Sequence, residues 1–302
     1  MSEFAGSRFG MQSQRRWPVV NTSQHVGGDH FLAVPSRVAL AGDWHADTRY
    51  GVSAIERAAR RNANVLIQMG DFGYRFTDMY LDALDDALRR YGLVLGFVDG
   101  NHEDFDRLLA YPLAGDGLRY LRERIVHLPR GWRWSWGSTQ CLSLGGAYSI
   151  DRILRAEGTS WWQQEVITVE EAEAAVAGGP ADVMLCHDCP AGVFVPGRPR
   201  EDYGFPLSEV AASQANRDRL RWVVDRVRPA RLWHGHFHQR HQALLEGAGY
   251  RTVVDGLGKN NDPLDNNLVV VNLPDLGHHR WSSREYSPVE VGSAAAVPPV
   301  TA

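Results

Sequence analysis

The chain has 302 residues, of which 44% are hydrophobic and 23% charged, with a formal net charge of −4. Those proportions fit a folded globular protein, and the charge excludes a general electrostatic attraction to nucleic acid, so no strong nucleic-acid patch is expected. Three cysteines, Cys141, Cys186 and Cys189, are too few for a disulfide framework, and a single lysine, Lys259, leaves almost no amine for Schiff-base chemistry. Residues 1–30 hold no continuous apolar stretch of a signal peptide, and no run approaches the ~20 apolar residues that span a bilayer. A reduced, cytoplasmic protein without membrane contact is the expectation.

Residues 1–35 are polar and aperiodic and predict a mobile N-terminal tail. Residues 283–302, rich in Ala and Pro, predict another, leaving one domain over 36–282. Val38-Ala39-Leu40-Ala41 is a short apolar run entering Gly42-Asp43, after which Ser53 is the expected cap of a helix reaching about Arg61. Val65-Leu66-Ile67-Gln68-Met69 is a buried strand entering Gly70-Asp71. Thr77 opens a second helix with an apolar stripe of Met79, Leu81, Leu84, Leu88 and Tyr91. A third strand from Leu93 to Val98 enters Asp99-Gly100-Asn101. This alternation predicts parallel strands with crossover helices, whose ligands bind beyond the carboxyl ends of the strands.

The pattern then changes. Trp132, Trp134 and Trp136 alternate with polar residues and turn into Cys141-Leu142-Ser143-Leu144, which predicts a hairpin and a second, more antiparallel sheet, with the tryptophans on one sheet face. Val183 to Cys186 and Arg231 to His234 are further strands. Between them a helix from about Ser208 to Val227 buries Leu220, Val223, Val224 and Val227, and Arg217, Arg221 and Arg228 form a solvated, ion-paired face with Asp225. Val269-Val270-Val271 is expected to close the second sheet.

Five short segments carry the chemistry: Gly42-Asp43-Trp44-His45, Gly70-Asp71, Gly100-Asn101-His102-Glu103, His187 within Cys186-His187-Asp188-Cys189-Pro190, and Gly235-His236-Phe237-His238. Each places its polar residues where an apolar run hands over to a loop. Together they offer two carboxylates, an amide oxygen and four imidazoles, with His102 left over. A single block of this kind is a common turn; the joint pattern is what points to two divalent cations. Oxygen and nitrogen donors without thiolate suit Mn, Fe or Zn at a catalytic centre. Cys186 and Cys189 spell C-x-x-C, but there is no second such pair and His187 is already used, so a redox pair or zinc knuckle is set aside. His234 and His241 flank the last block and read as neighbours rather than ligands.

In this order the blocks, over roughly residues 37–275, resemble the calcineurin-like metallophosphoesterase superfamily. The resemblance implies an α/β fold, a two-sheet mixed β-sandwich flanked by helices, with a dinuclear metal centre and a bridging hydroxide. It implies Asp43, His45 and His238 on one metal and Asn101, His187 and His236 on the other, with Asp71 bridging. His102 would stabilise phosphoryl charge or protonate the leaving alkoxide. Glu103 or Asp104 is an expected acceptor orienting His102, and Arg75 an expected phosphate contact, although Tyr74 stands where the family has an acidic residue. Residues 145–151, followed by Ser160-Trp161-Trp162, resemble a bacterial and phage subgroup in which this segment forms a loop beside the metals, and Trp162 is an expected substrate contact. The implied activity is metal-dependent phosphohydrolysis, with a phosphodiesterase on nucleotide-type substrates as the first reading and a phosphomonoesterase or protein phosphatase as the alternative. A non-catalytic scaffold of the same fold is the minor alternative, because scaffolds lose ligands or the extra histidine and this chain keeps all of them.

Overall fold

The first strand, β1 (Arg37–Ala41), shows how the core is divided. Its alternate residues go to opposite faces: Ala39 and Ala41 pack with the helices, while Val38 and Leu40 join the apolar layer between two sheets. A strand covered on both faces reads as a continuous apolar run, which is what made it visible in the sequence. The computed structural model describes residues 31–197 and 204–277.

From β1 the chain passes through α1 (Thr48–Arg60), β2 (Val65–Gln68), α2 (Asp78–Tyr91) and β3 (Val94–Phe97), with β1, β2 and β3 parallel as expected. Asp47, not Ser53, caps α1 by accepting from the Tyr50 amide at 3.0 Å, while Ser53 Oγ donates to the Arg49 carbonyl inside the helix. Thr77 caps α2 as predicted. Of the α2 stripe, Leu81, Leu84 and Leu88 are fully buried, but Met79, in the first turn, is 80% exposed. Replacing a buried leucine such as Leu84 by alanine would cost ~2–5 kcal/mol.

After α3 (Phe105–Ala110), β4 (Arg119–Arg122) and β5 (Ile125–His127) extend the first sheet. The expected hairpin follows as β6 (Arg133–Trp136) and β7 (Thr139–Leu144), paired antiparallel. Then come α4 (Val169–Ala177), β8 (Val183–Cys186), α5 (Leu207–Val227), β9 (Arg231–His234), β10 (His241–Gly247), β11 (Tyr250–Gly256) and β12 (Leu268–Asn272). The two six-stranded sheets run β12-β1-β2-β3-β5-β4 and β10-β11-β9-β8-β7-β6. They stack face to face, α1 and α2 cover one outer face, and α4 and α5 cover the other. This is the mixed α/β sandwich predicted.

Three details depart from the sequence reading. Strand β12 joins the first sheet, antiparallel to β1, with Val271 opposite Val38. Asn267 just before it is buried and donates to the carbonyls of Asp43 and Gly258, which draws the chain back to the start of the fold. Arg217 is not on a solvated face: it is 5% exposed and donates to the carbonyls of Cys189, Pro190 and Val193, tying α5 to the loop after β8. Phe31, inside the segment expected to be a tail, is fully buried against Trp132, Trp134 and Trp136. The remainder of both expected tails lies mostly outside the described residues.

Candidate metal centre

Every one of the five blocks lies at the carboxyl end of a strand, and the sandwich brings those ends to one edge. Asp43 follows β1, Asp71 follows β2, Asn101 and His102 follow β3, His187 follows β8, and His236 and His238 follow β9. One ligand atom each from Asp43, His45, Asp71 and His238 lies within 4.8 Å of all the others. His238 Nε2 is 3.1 Å from Asp43 Oδ2, and His45 Nε2 is 3.5 Å from Asp71 Oδ2. On the other side of Asp71, His187 Nε2 is 3.4 Å from Oδ1 and 3.0 Å from Asn101 Oδ1. The His236 ring lies 5.1 Å from that of His187, centroid to centroid, and its amide donates to Asp43 Oδ1. All seven residues expected as ligands are therefore gathered around the two carboxylates, Asp43 and Asp71.

Holding them there needs unusual backbone. His45, Asp71, His236 and His238 all have φ between +48° and +63°. Such left-handed non-glycine residues cost ~1–3 kcal/mol each and persist where the surroundings enforce them. The Asp71 carbonyl does so by accepting from the amides of Trp44 and His45, which locks two blocks together. The glycines leave room: a side chain at Gly70 would strike the His187 ring, and one at Gly100 would strike the Asp71 carboxylate.

The hydrogen bonds set the tautomers. His187 Nδ1–H donates to the Met69 carbonyl at 2.6 Å, and His45 Nδ1–H donates to Asn260 Oδ1 at 2.7 Å. Each ring then turns a bare Nε2 toward a carboxylate, an arrangement that requires a proton or a cation between them. Burial opposes charge on His45, yet Asp71 and Asp43 raise its pKa to about 9. Burial opposes charge on His187 as well, and the same carboxylates with the Met69 carbonyl raise it to about 10. For Asp71 burial alone would favour the acid form, but His187 and His102 hold it well below the usual carboxylate range. Asp43 Oδ2 is buried and, although His238 Nε2 stands 3.1 Å away, accepts no well-formed hydrogen bond among the described residues. An orphaned carboxylate oxygen, a deficit of positive charge and oriented imidazole lone pairs fit divalent cations.

The surrounding shell holds residues that the sequence did not disclose. Asn101 Nδ2 donates to Ser149 Oγ at 3.0 Å, and Ser149 Oγ donates to Glu165 Oε2 at 2.5 Å, which turns the Asn101 carbonyl oxygen toward His187. Burial raises the Glu165 pKa to about 8. Glu103 was expected to orient His102; instead its two oxygens accept from the amides of Phe72 and Gly73, bracing the loop after Asp71. Burial, then Asp71, raise the Glu103 pKa to about 8. His102 is fixed through its amide, which donates to Asp71 Oδ1 at 2.9 Å. Its ring instead meets Arg155, with Nη1 2.6 Å from Nδ1, and Arg155 is held by both oxygens of Asp151. Arg75 is exposed, and its carbonyl accepts from Arg107. Trp162 is buried, its indole donating to Asp106 and its amide to Glu165, so it supports the Asn101 shell.

A model of the calcineurin-like phosphoesterase family matches residues 36–240. The chain belongs to that family. The calcineurin-like phosphoesterases are dinuclear metal hydrolases, and this enzyme accordingly carries the Asp and His cluster described above. The chain is also similar to solved structures. TT1561 of Thermus thermophilus is 12% identical, with 79% of this chain and 99% of that one covered and a TM-score of 0.45. A dimetal phosphatase from Danio rerio is 12% identical, with 79% and 93% covered and a TM-score of 0.49. A search of the curated proteins finds no match. Among the described residues no helix is long and apolar enough to cross a membrane.

Proposed function

We propose that this phosphoesterase is a dinuclear phosphodiesterase acting on nucleotide-type substrates, with its catalytic domain over residues 36–282 and the cytoplasm as its compartment. The observation that carries the reading is the convergence of Asp43, His45, Asp71 and His238 around the orphaned Asp43 oxygen. Asp43, His45 and His238 would hold one cation and Asn101, His187 and His236 the other, with Asp71 shared. Divalent Mn, Fe or Zn bound there supplies Lewis acidity at the phosphoryl group and a nucleophile at neutral pH.

The remaining work falls to the side chains around the donors. Asp71 aligns His102 through its amide. Burial lowers the His102 pKa; Asp71 opposes that, and Arg155 adds to it. Arg155 can only donate to the His102 ring, so a phosphoryl anion that draws Arg155 off Nδ1 is what favours the imidazolium, which then gives its proton to the departing alkoxide. Arg155, already oriented by Asp151, is placed to meet a phosphoryl oxygen beside His102. Because Asp151 balances its charge, the pair brings no net positive charge to the cleft, which suits the single charge of a diester better than the double charge of a monoester. Tyr74, 37% exposed and edge-on to His102 at 5.6 Å, offers an aromatic face at the mouth for a base.

The test compares Mn-loaded protein on bis(p-nitrophenyl) phosphate and p-nitrophenyl phosphate. Faster diester turnover is expected. A preference for the monoester would replace the reading with a phosphomonoesterase on the same site, and inertness toward both would sink the generic diesterase.

A further inference from the structure

A second set of metal-type donors lies outside the dinuclear centre. Strand β11 runs between β9 and β10, and Gly256 at its end pairs with His234 on one side and His241 on the other. A side chain at Gly256 would strike the His241 ring, so this glycine clears the space in which the two imidazoles approach, 5.1 Å apart by centroid. Cys189, from the loop after β8, completes the group: one ligand atom each of Cys189, His234 and His241 lies within 4.8 Å of the others. His234 and Cys189 are fully buried and His241 is 7% exposed.

The hydrogen bonds show which atoms are on offer. His234 Nδ1 lies 2.8 Å from the Gly235 carbonyl, and His241 Nδ1 lies 3.1 Å from the Gln239 carbonyl. A carbonyl can only accept, so Nδ1 carries the proton in both rings and Nε2 carries a lone pair. Both Nε2 atoms are buried without a hydrogen-bond partner among the described residues. A thiol has one proton, so Cys189 could satisfy at most one of them. Imidazoles whose outer N–H is tied to a carbonyl and whose inner lone pairs converge beside a sulfur have the arrangement of metal ligands.

We propose that Cys189, His234 and His241 form a second, buried cation site, structural in role, that takes zinc or another dication tolerant of thiolate. Three protein donors and one small ligand complete a tetrahedral ion. The site clamps the loop after β8, which carries His187, to the loop between β9 and β10, which carries His236 and His238. It therefore sits behind the dinuclear centre and holds three of its donors in place from the rear. The inference does not depend on the substrate proposed above.

Cobalt tests it directly, because only a thiolate ligand gives a sulfur-to-cobalt charge-transfer band in the near ultraviolet, and the seven donors of the dinuclear centre include no sulfur. Full-length protein produced with cobalt should show the band. Cys186→Ser should keep it, and Cys189→Ser should lose it together with one equivalent of bound metal while the remaining metal stays. Wild-type protein loaded with cobalt but lacking the band would overturn the proposal, and that measurement stands even if Cys189→Ser fails to fold. Loss of the dinuclear centre would read differently, as a low metal content with the charge-transfer band intact.

Discussion

The chain from His234 to His241 serves two donor sets of opposite character. His236 and His238 turn to the carboxylate-rich cluster, where the His238 side chain is 33% exposed, while His234 and His241 turn to the sulfur of Cys189 in a closed pocket. In front, Asp71 and Asp43 hold the imidazoles of His45 and His187 protonated; behind, burial keeps His234 and His241 neutral, with pKa values pushed down. An open, anionic, oxygen-rich site suits exchange and reaction, and a dry site with a thiolate suits permanent retention. Position along a strand end thus does not decide a donor's use; the partner side chains and the access of water do.

The largest effect expected is from Asp71→Ala. It removes the carboxylate that touches His45, His187 and His102, so turnover should vanish and the front metals should be lost, while the cobalt–thiolate band behind remains. Loss of both together would show that the two sites are one cooperative unit and break the comparison. His102→Ala should lower diester kcat ~100-fold, the size of a general-acid contribution, with the metal content unchanged. A drop in metal content instead would make His102 a ligand rather than a proton donor.

Acidity separates the two sites by slope. In the metal-free protein His45 and His187 titrate at about 9 and about 10, so below those values both hold protons that ligation must expel. Lowering the pH should therefore weaken binding of the front pair of ions, taken together, by up to ~100-fold per unit, one proton being released for each ion. The rear site loses only the Cys189 proton, because its imidazoles are already neutral, and should weaken by at most ~10-fold per unit. Chelator competition at two pH values near neutrality measures both slopes, and equal slopes would refute the difference.

Much of the front site was legible because each donor sits in its own block at the end of an apolar strand, where local pattern and function coincide. The sandwich was legible for the same reason. The shell was legible only in outline: Ser149 lies in the segment expected beside the metals, but Glu165, Arg155 and Asn260 are single polar residues with no local pattern, and each acquires its role only when a distant loop arrives. The rear site was hidden more thoroughly. Cys189 looked like half of a C-x-x-C with Cys186, yet its partners lie in β9 and at the start of β10, brought together by the register across Gly256. The same dependence on long-range pairing explains why Val269 to Val271 joined the first sheet rather than the second.

The smallest predicted effect concerns what orients each imidazole. His45 is set by a side chain, Asn260 Oδ1, itself steadied by an Asn260 Nδ2 bond to Asp47. His241 is set by a backbone carbonyl, that of Gln239. Removing an outer partner of a metal-bound histidine weakens metal affinity by ~10–100-fold, so Asn260→Ala should loosen the front metals at the lower end of that range, ~10-fold, and leave kcat at saturating metal nearly unchanged. Gln239→Ala keeps the carbonyl that matters and should leave the cobalt–thiolate band as it was. The pair of variants therefore asks whether the front site is tuned by replaceable side chains while the rear site is built into the main chain. An Asn260→Ala protein with undiminished metal affinity would mean that the His45 tautomer is enforced by the carboxylates alone.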